Sequence, residues 1–202
     1  MKIVKPTVTL EEDIERFAIL QKIERAGRTC YKSEAKITVE SASDFVRKII
    51  KSGHDSVIEH HSISLRIVCD RGVTHEIVRH RLASYSQEST RYVKYGKNDM
   101  EFIKPPNMTQ EQEDFWTALM LDSELAYKKM LERGATPQIA RSVLPNALKT
   151  EIVMTANLRE WRHFLKLRTS KQSHPQMREI AIMIYKILVK RLPEVFDDIK
   201  IG

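Results

Sequence analysis

The sequence predicts an α+β fold in which helices pack around a modest, mainly antiparallel sheet. Two observations support this: segments with a helical period outnumber alternating segments, and the alternating segments lie far apart along the chain. The chain has 202 residues, 42% hydrophobic and 30% charged, a composition typical of globular domains with a substantial core. Because no repeat, low-complexity tract or linker stands out, we expect one domain over residues 1–202.

The N-terminal quarter is predicted to contain a short β segment and two helices. Apolar residues on both sides of Pro6 indicate the β segment, which that proline interrupts. Apolar side chains then recur near a period of 3.6, which predicts a helix over 11–26 that ends at Gly27. A second helix is predicted over 43–51, with Ser41 or Ser43 as its N-cap and Gly53 as its stop.

A strand followed by a helix is predicted next. Residues 53–61 are dense in ionisable groups but too short for an element of their own. Ser62 to Cys69 alternate between apolar and polar side chains, which is typical of a half-buried strand. Asp70 then has the character of an N-cap for a helix over 71–81.

The second half is predicted to be largely helical, each helix beginning at a recognisable cap. Its expected elements are a capping-box helix from Thr109 to Arg133 that Gly134 ends, a short helix after Thr136, a strand over 149–155, a helix capped by Asn157 and a last helix capped by Ser173.

The charge of the chain favours anionic partners. The formal net charge is +7, which suits nucleic acids, nucleotides or phosphorylated cofactors without choosing among them. No apolar run reaches the roughly 18 residues of a membrane span, and the first residues lack the apolar core of a signal peptide. We therefore expect a cytoplasmic location and no membrane association.

The two cysteines have no neighbours that indicate a nucleophile, a disulfide or a zinc site. Cys69 ends an apolar strand and is expected to be a core thiol, whereas Cys30 lies in a turn-like segment.

The stretch from Arg79 to Tyr92 is the strongest functional signal. Arg79, His80 and Arg81 stand in a row, hydroxyl and amide side chains follow, and Arg91 comes next. Consecutive residues do not share a face, so these cations fan out towards several anionic groups. The glycines are too widely spaced for a GxGxxG motif or a P-loop. If a nucleotide phosphate binds, arginine side chains must hold it. The alternative is a solvated basic loop.

Two other function classes fit parts of the sequence. The positive charge with the arginine cluster would suit an RNA- or DNA-binding module, but no known nucleic-acid motif appears. His54-Asp55, with His60, His61 and Glu59, would suit a metal-dependent nucleotide hydrolase. Such a hydrolase needs further ligands elsewhere in the chain, and because no pattern indicates them, we expect neither a metal nor a nucleic-acid partner.

Arg79-His80-Arg81 followed after seven residues by Ser89 matches the RHR-x7-S signature, and the sequence resembles the flavin-dependent thymidylate synthases. The resemblance covers about residues 50–180. Its other landmarks are Ser84, Arg91 and Tyr92, Gly53-His54, Glu59-His60, the 140–145 segment, Asn157-Leu158-Arg159 and the 164–168 segment.

The resemblance implies an enzyme of thymidylate biosynthesis. It implies a homotetramer with shared active sites and tightly bound FAD, which converts dUMP into dTMP without a cysteine nucleophile. Carbon would come from 5,10-methylenetetrahydrofolate, and NADPH would be oxidised as the reductant.

The resemblance also implies roles for individual residues. The catalytic position is Arg168, which would contact the uracil edge. The implied flavin-binding positions are Ser56, Arg79, His80, Arg81, Gln87, Asn157, Arg159 and His163. The implied dUMP-binding positions are Glu76, Arg79, Gln87, Glu88, Ser89, Thr90, Arg91, Arg141 and Arg168. Glu76 stands where many members have Gln, and residues 86–88 read Ser-Gln-Glu where others vary.

Overall fold

The computed structural model describes residues 1–95 and 99–202. Its helices are α1 (Arg16–Thr29), α2 (Ser41–Lys51), α3 (Arg71–Ile77), α4 (Gln110–Glu132), α5 (Pro137–Ala140), α6 (Leu158–Arg168), α7 (Pro175–Arg191) and α8 (Pro193–Phe196). Its strands are β1 (Lys2–Val4), β2 (Thr7–Leu10), β3 (Ser62–Asp70), β4 (Ala83–Gln87), β5 (Glu101–Ile103) and β6 (Lys149–Asn157). Short 3₁₀ turns span Glu34–Lys36, Asp55–His60 and Arg141–Val143.

The strands form two sheets. One has four strands in the order β2-β3-β6-β4 and is mainly antiparallel. The other pairs β1 with β5 in parallel, so that Ile3 lies opposite Phe102. The predicted α+β class is confirmed.

The described chain divides into two compact units. The first consists of Met1–Thr7, Ile67–Arg79 and Ser86–Val153, and the second of Val8–Arg66, His80–Tyr85 and Met154–Gly202. That residues 1–202 form one domain stays a prediction.

Each unit has its own buried apolar residues. In the first, Phe102 and Tyr127 are fully buried and belong to a cluster with Leu148. In the second, the fully buried Trp161 lies edge-on to Phe164, and its indole N–H donates to the carbonyl of Ile63 at 3.0 Å. This bond allows a large ring to be buried without an unsatisfied polar group.

Three predicted helix starts are confirmed by their hydrogen bonds. Asp70 accepts from the Val73 N–H at 2.9 Å and caps α3. Thr109 opens α4 with both bonds of a capping box. Asn157 caps α6 by accepting from the Glu160 N–H at 2.8 Å. Such caps satisfy N–H groups that no helical carbonyl can reach.

Gly27 was predicted to end the first helix, but it lies inside that helix. α1 runs from Arg16 to Thr29, five residues later at its start than expected. A Cβ on Gly27 would stand 2.6 Å from the Phe45 ring and 2.9 Å from Val57. The glycine is therefore required for close packing and not for a helix stop.

Other predicted boundaries were also wrong. Neither Ser41 nor Ser43 caps α2, because the N-cap is Glu40 without a side-chain bond. Residues Asp55–His60 form a 3₁₀ turn where no element was expected. The last predicted cap, Ser173, instead donates its hydroxyl to the Leu167 carbonyl, and His174 precedes α7.

The helix after Asp70 is shorter than predicted. It ends at Ile77, and the chain then enters β4, which was expected to be a loop. Arg79, His80 and Arg81 therefore follow the helix.

The described residues contain no helix with both the length and the apolar character that a membrane crossing requires. Cys69 is buried, as expected, and Cys30 is exposed.

Candidate functional site

His80 is the buried member of the Arg79-His80-Arg81 row. Its side chain is only 2% exposed, whereas Arg79 and Arg81 are both exposed. The three side chains thus diverge, as expected for neighbours that cannot share a face.

The imidazole of His80 lies along one face of α6 in the second unit. Its Nδ1 stands 2.8 Å from Oε1 of Glu160. Its Nε2 accepts from the Arg168 Nε–H at 3.1 Å. Between these bonds the ring packs on Phe164, with centroids 4.7 Å apart.

The spacing along α6 explains this geometry. Glu160, Phe164 and Arg168 are four residues apart, and such residues lie above one another on a helix. The helix therefore presents a carboxylate, an apolar ring and a guanidinium in a line, and one imidazole contacts all three.

The hydrogen bonds define which nitrogen of His80 carries the proton. A guanidinium can only donate, so Nε2 must accept and Nδ1 must carry the hydrogen that Glu160 accepts. Burial lowers the pKa of His80, the Glu160 hydrogen bond opposes this, and the charge of Arg168 lowers the pKa further. The neutral ring is therefore favoured.

Tyr85 of β4 anchors the backbone beside this ring. Its hydroxyl donates to the carbonyl of His80. Burial raises the pKa of Tyr85 to about 12, so the phenol remains a donor at neutral pH.

His163 lies next to the same cluster, its ring centroid 5.6 Å from that of His80. One ligand atom each from His80, Glu160 and His163 lies within 4.8 Å of the others, a grouping that could hold a metal ion. However, both ring nitrogens of His80 already have partners, and the Arg168 cation opposes a second positive charge. The donor set suits an ordered hydrogen-bond chain better than a metal.

The segment from His54 to His61 does not supply a metal-binding group in the part of the chain that the structure describes. The grouping above contains none of its residues. Instead, Glu59 accepts from the exposed Arg159 at 2.6 Å.

In the first unit, Gln87 is held by two buried threonines. Its amide N–H groups donate to Thr74 Oγ1 at 3.1 Å and to Thr150 Oγ1 at 3.3 Å. These bonds orient the amide, so the side chain is fixed from within the protein.

Glu88 has internal partners as well. The Tyr95 hydroxyl donates to its carboxylate at 2.6 Å, and Lys149 Nζ lies 3.7 Å away. Burial, followed by the Glu88 hydrogen bond and charge, raises the pKa of Tyr95. Burial would lower the pKa of Lys149, but a hydrogen bond to Glu151 and nearby carboxylates raise it overall. Glu88 therefore belongs to a charged cluster.

The turn after β4 contains two hydroxyls, which accept from the Arg141 guanidinium and from the backbone N–H of Arg91. Arg141 donates to Thr90 Oγ1 at 3.4 Å, and Ser89 Oγ accepts the Arg91 N–H at 3.3 Å. The Arg91 side chain donates to Gln138 at 3.2 Å. Hydroxyls and exposed arginines in this arrangement suit an anionic group such as a phosphate.

The remaining predicted positions are more scattered. Asn157 is the cap of α6. Ser56 is exposed in the 3₁₀ turn Asp55–His60, and Glu76 is half-buried on α3.

Sequence reasoning did not identify Glu160, Tyr95 or Lys149 as members of these clusters. Glu160 follows the predicted Asn157 cap by three residues, and its contact with His80 spans 80 residues of sequence. The one available signal was the four-residue repeat from Glu160 to Phe164 and from Phe164 to Arg168.

A family model described as "Thymidylate synthase complementing protein" matches residues 17–194. A protein named flavin-dependent thymidylate synthase from Mycobacterium sp. (strain JLS) is 40% identical over 222 residues, covering 98% of this chain and 86% of its own. A protein of the same name from Mycolicibacterium gilvum (strain PYR-GCK) is also 40% identical, covering 97% and 85%.

Solved structures share the fold. The UMP/dUMP methylase PolB from Streptomyces cacaoi bound with 5-Br dUMP has a TM-score of 0.82 at 24% identity, covering 98% of this chain and 96% of its own. The same protein bound with 5-Br UMP has a TM-score of 0.79 at 21% identity, covering 97% and 94%.

Proposed function

The chain belongs to the thymidylate synthase complementing protein family, that of the flavin-dependent thymidylate synthases, and we propose that it methylates dUMP reductively to dTMP with FAD. The carbon donor is 5,10-methylenetetrahydrofolate and the reductant is NADPH. The observation that most directly supports this proposal is the hydrogen bond between Arg168 and His80. It joins two of the family's signature positions that are 88 residues apart.

The flavin is held by polar and cationic side chains. These are Ser56, Arg79, His80, Arg81, Gln87, Asn157, Arg159 and His163. Exposed guanidinium groups at Arg79 and Arg81 suit the pyrophosphate of FAD, in a chain without a glycine-rich phosphate loop. When bound, the flavin supplies the reducing equivalents that complete the methyl group.

The substrate dUMP is held by a second set of residues. These are Glu76, Arg79, Gln87, Glu88, Ser89, Thr90, Arg91, Arg141 and Arg168. Ser89 and Arg91 lie in the hydroxyl- and arginine-rich turn after β4 and bind the phosphate.

Arg168 contacts the uracil edge and is the catalytic residue. Negative charge develops on the pyrimidine during reaction, and a guanidinium that is always charged stabilises it. The neutral His80 ring accepts from Nε and so restricts the orientation of this group.

The reaction proceeds without a cysteine nucleophile. Burial raises the pKa of the Cys69 thiol, so its thiolate is disfavoured. Cys30 is the C-cap of α1, and none of the positions proposed for FAD or dUMP lies in that helix.

The active enzyme is a homotetramer whose sites combine residues of several subunits. This part of the proposal rests on family membership, and sedimentation analysis tests it through the mass of the assembly.

The visible spectrum of the purified protein tests the function. We expect a yellow protein whose flavin absorbance changes when dUMP is added, and which forms dTMP with methylenetetrahydrofolate and NADPH. A colourless protein that takes up no FAD, or one that releases no dTMP, would overturn the proposal. Omitting each co-substrate in turn serves as the control.

A further inference from the structure

Glu160 has no part in the function proposed above, yet its surroundings are unusual for a carboxylate. Its side chain is 8% exposed, in the first turn of α6. Asn157 satisfies its backbone N–H. Its carboxylate faces the Nδ1 of His80 at 2.8 Å. Burying a carboxylate is costly unless a specific partner compensates, and His80 is that partner.

A neutral imidazole has one donor and one acceptor, and they can exchange places. With Glu160 accepting from Nδ1, the acceptor faces Arg168. If the proton moved to Nε2, two N–H groups would point at each other and the hydrogen bond to Arg168 would be lost. The carboxylate therefore controls whether His80 can accept the hydrogen bond from the catalytic guanidinium.

We infer that Glu160 is a positioning residue that acts through His80 to orient the Arg168 guanidinium. This inference rests on the proposed function, because Arg168 matters only if it contacts the uracil. Glu160 touches neither substrate nor flavin in this scheme.

Two other roles for Glu160 make different predictions. An acid in the first turn of a helix stabilises the helix through its dipole, which requires no contact with His80. A metal ligand shared with His80 and His163 would make the activity depend on a bound ion.

Two substitutions separate these roles. In Glu160→Gln the amide oxygen can still accept from Nδ1, whereas in Glu160→Ala no acceptor remains. We expect Glu160→Ala to lower kcat about 100-fold, since small misplacements of catalytic groups cost about that much. Glu160→Gln should stay within about tenfold of the wild type. The dUMP dissociation constant, measured by calorimetry, should rise about tenfold in the alanine variant only, because one oriented hydrogen-bond partner is worth about that factor.

The pH profile of kcat provides a readout that a purely structural role would not change. The groups facing His80 are Glu160, His163 and Arg168 on α6 and Tyr85 on β4. The Glu160 charge favours protonated His80. In Glu160→Gln this charge is absent, so His80 should protonate at lower pH, and the acid limb of the profile should move to lower pH.

Glu111→Gln is the matched control, since Glu111 is an exposed acid in the first turn of α4. It should leave kcat and the pH profile unchanged. The FAD dissociation constant and the urea midpoint of each variant report folding independently of turnover.

Three results would overturn the inference. In one, both Glu160 variants retain the wild-type kcat and pH profile. In another, Gln and Ala lose kcat equally while the urea midpoint falls in parallel, which indicates a structural role. In the third, chelation abolishes wild-type activity and a divalent ion restores it. If Glu160→Ala does not fold, the kcat profile of Glu160→Gln tests the inference: an acid limb at the wild-type pH would overturn it.

Failure of the proposed function has a different signature. A wild-type protein that binds dUMP but makes no dTMP overturns the function alone, and the inference is then decided by the dUMP affinities of the two variants.

Discussion

Arg168 shows how a neutral ring can orient a charged side chain. Its Nε–H donates to a neutral imidazole and not to a carboxylate. The contact at Nε therefore adds no negative charge beside the guanidinium, whereas a carboxylate in the same place would offset part of its positive charge. The His80 ring lies between Glu160 and Arg168, so the carboxylate of Glu160 contacts the imidazole and not the Nε of Arg168.

Replacement of Arg168 by alanine tests this role. We expect Arg168→Ala to retain FAD but to lose dTMP formation by about 100-fold or more, because a preorganised group that stabilises transition-state charge is worth about that factor. Single-turnover assays and flavin absorbance provide the two measurements.

Arg133→Ala removes an exposed arginine after α4 and is the matched control. Near-native turnover in Arg168→Ala would remove Arg168 from the mechanism, whereas loss of flavin would make it a cofactor-binding residue.

At the scale of the element, helix starts determine where the functional side chains lie. The Asn157 cap fixes the first turn of α6 and hence the position of Glu160. From there the four-residue repeat places Phe164 and Arg168 on the same face. A helix that began one residue later would turn this face by about 100°.

The capping box of α4 provides a test of how much a helix cap contributes to the stability of the fold. In Thr109→Ala the side-chain acceptor for the Gln112 N–H is lost. We expect the free energy of unfolding to fall by about 1 kcal/mol, the usual contribution of an N-cap hydroxyl. Urea denaturation monitored by circular dichroism measures this change.

Thr136→Ala is the matched control, because Thr136 is the N-cap of α5 but makes no side-chain cap bond. Its effect should be smaller. An equal loss in both variants would indicate that the capping bond of Thr109 contributes little.

At the scale of the whole molecule, two ion pairs that each have one buried member predict acid sensitivity. Hydrogen bonds from Arg162 lower the pKa of Asp198, although burial opposes them. Burial would raise the pKa of Glu194, but hydrogen bonds from Arg16 and Ser43 lower it overall.

Both carboxylates thus bind protons less readily in the folded state than in the unfolded state. Their stabilisation is complete above their ordinary pKa values of 3.8 and 4.5 and is lost as the pH falls through the lower, folded values. We expect the urea midpoint to fall as the pH drops below about 4.5.

Asp198→Asn removes one of these groups and should make the urea midpoint less dependent on pH in the acid range. It should also lower stability at neutral pH, because the buried Arg162 loses its carboxylate partner. A midpoint that stays constant down to the acid range would contradict this account.

Local signals explain which parts of the fold could be predicted. Caps such as Asp70 and Thr109 bond within three residues, and alternation along β3 needs only neighbouring positions. The end of α3 at Ile77 had no such signal, because no breaker follows it. Gly27 was misread because its reason is a tertiary contact with Phe45.

The candidate site was predictable in its membership but not in its arrangement. The signature positions came from a resemblance, which assigns roles but no partners. That His80 bonds to both Glu160 and Arg168 depends on packing across 80 or more residues. The four-residue repeat along α6 shows that these side chains share a face, but it does not show which distant residue packs against that face.

The different burial of the two thiols makes the protein convenient for spectroscopy. A maleimide dye reacts with an exposed thiol and not with a buried one whose thiolate is disfavoured. The native chain therefore takes up one dye, at Cys30, without any engineered residue. That position follows α1, three residues beyond Gly27, so the dye would report local motion of this helix end while the chemistry proceeds elsewhere.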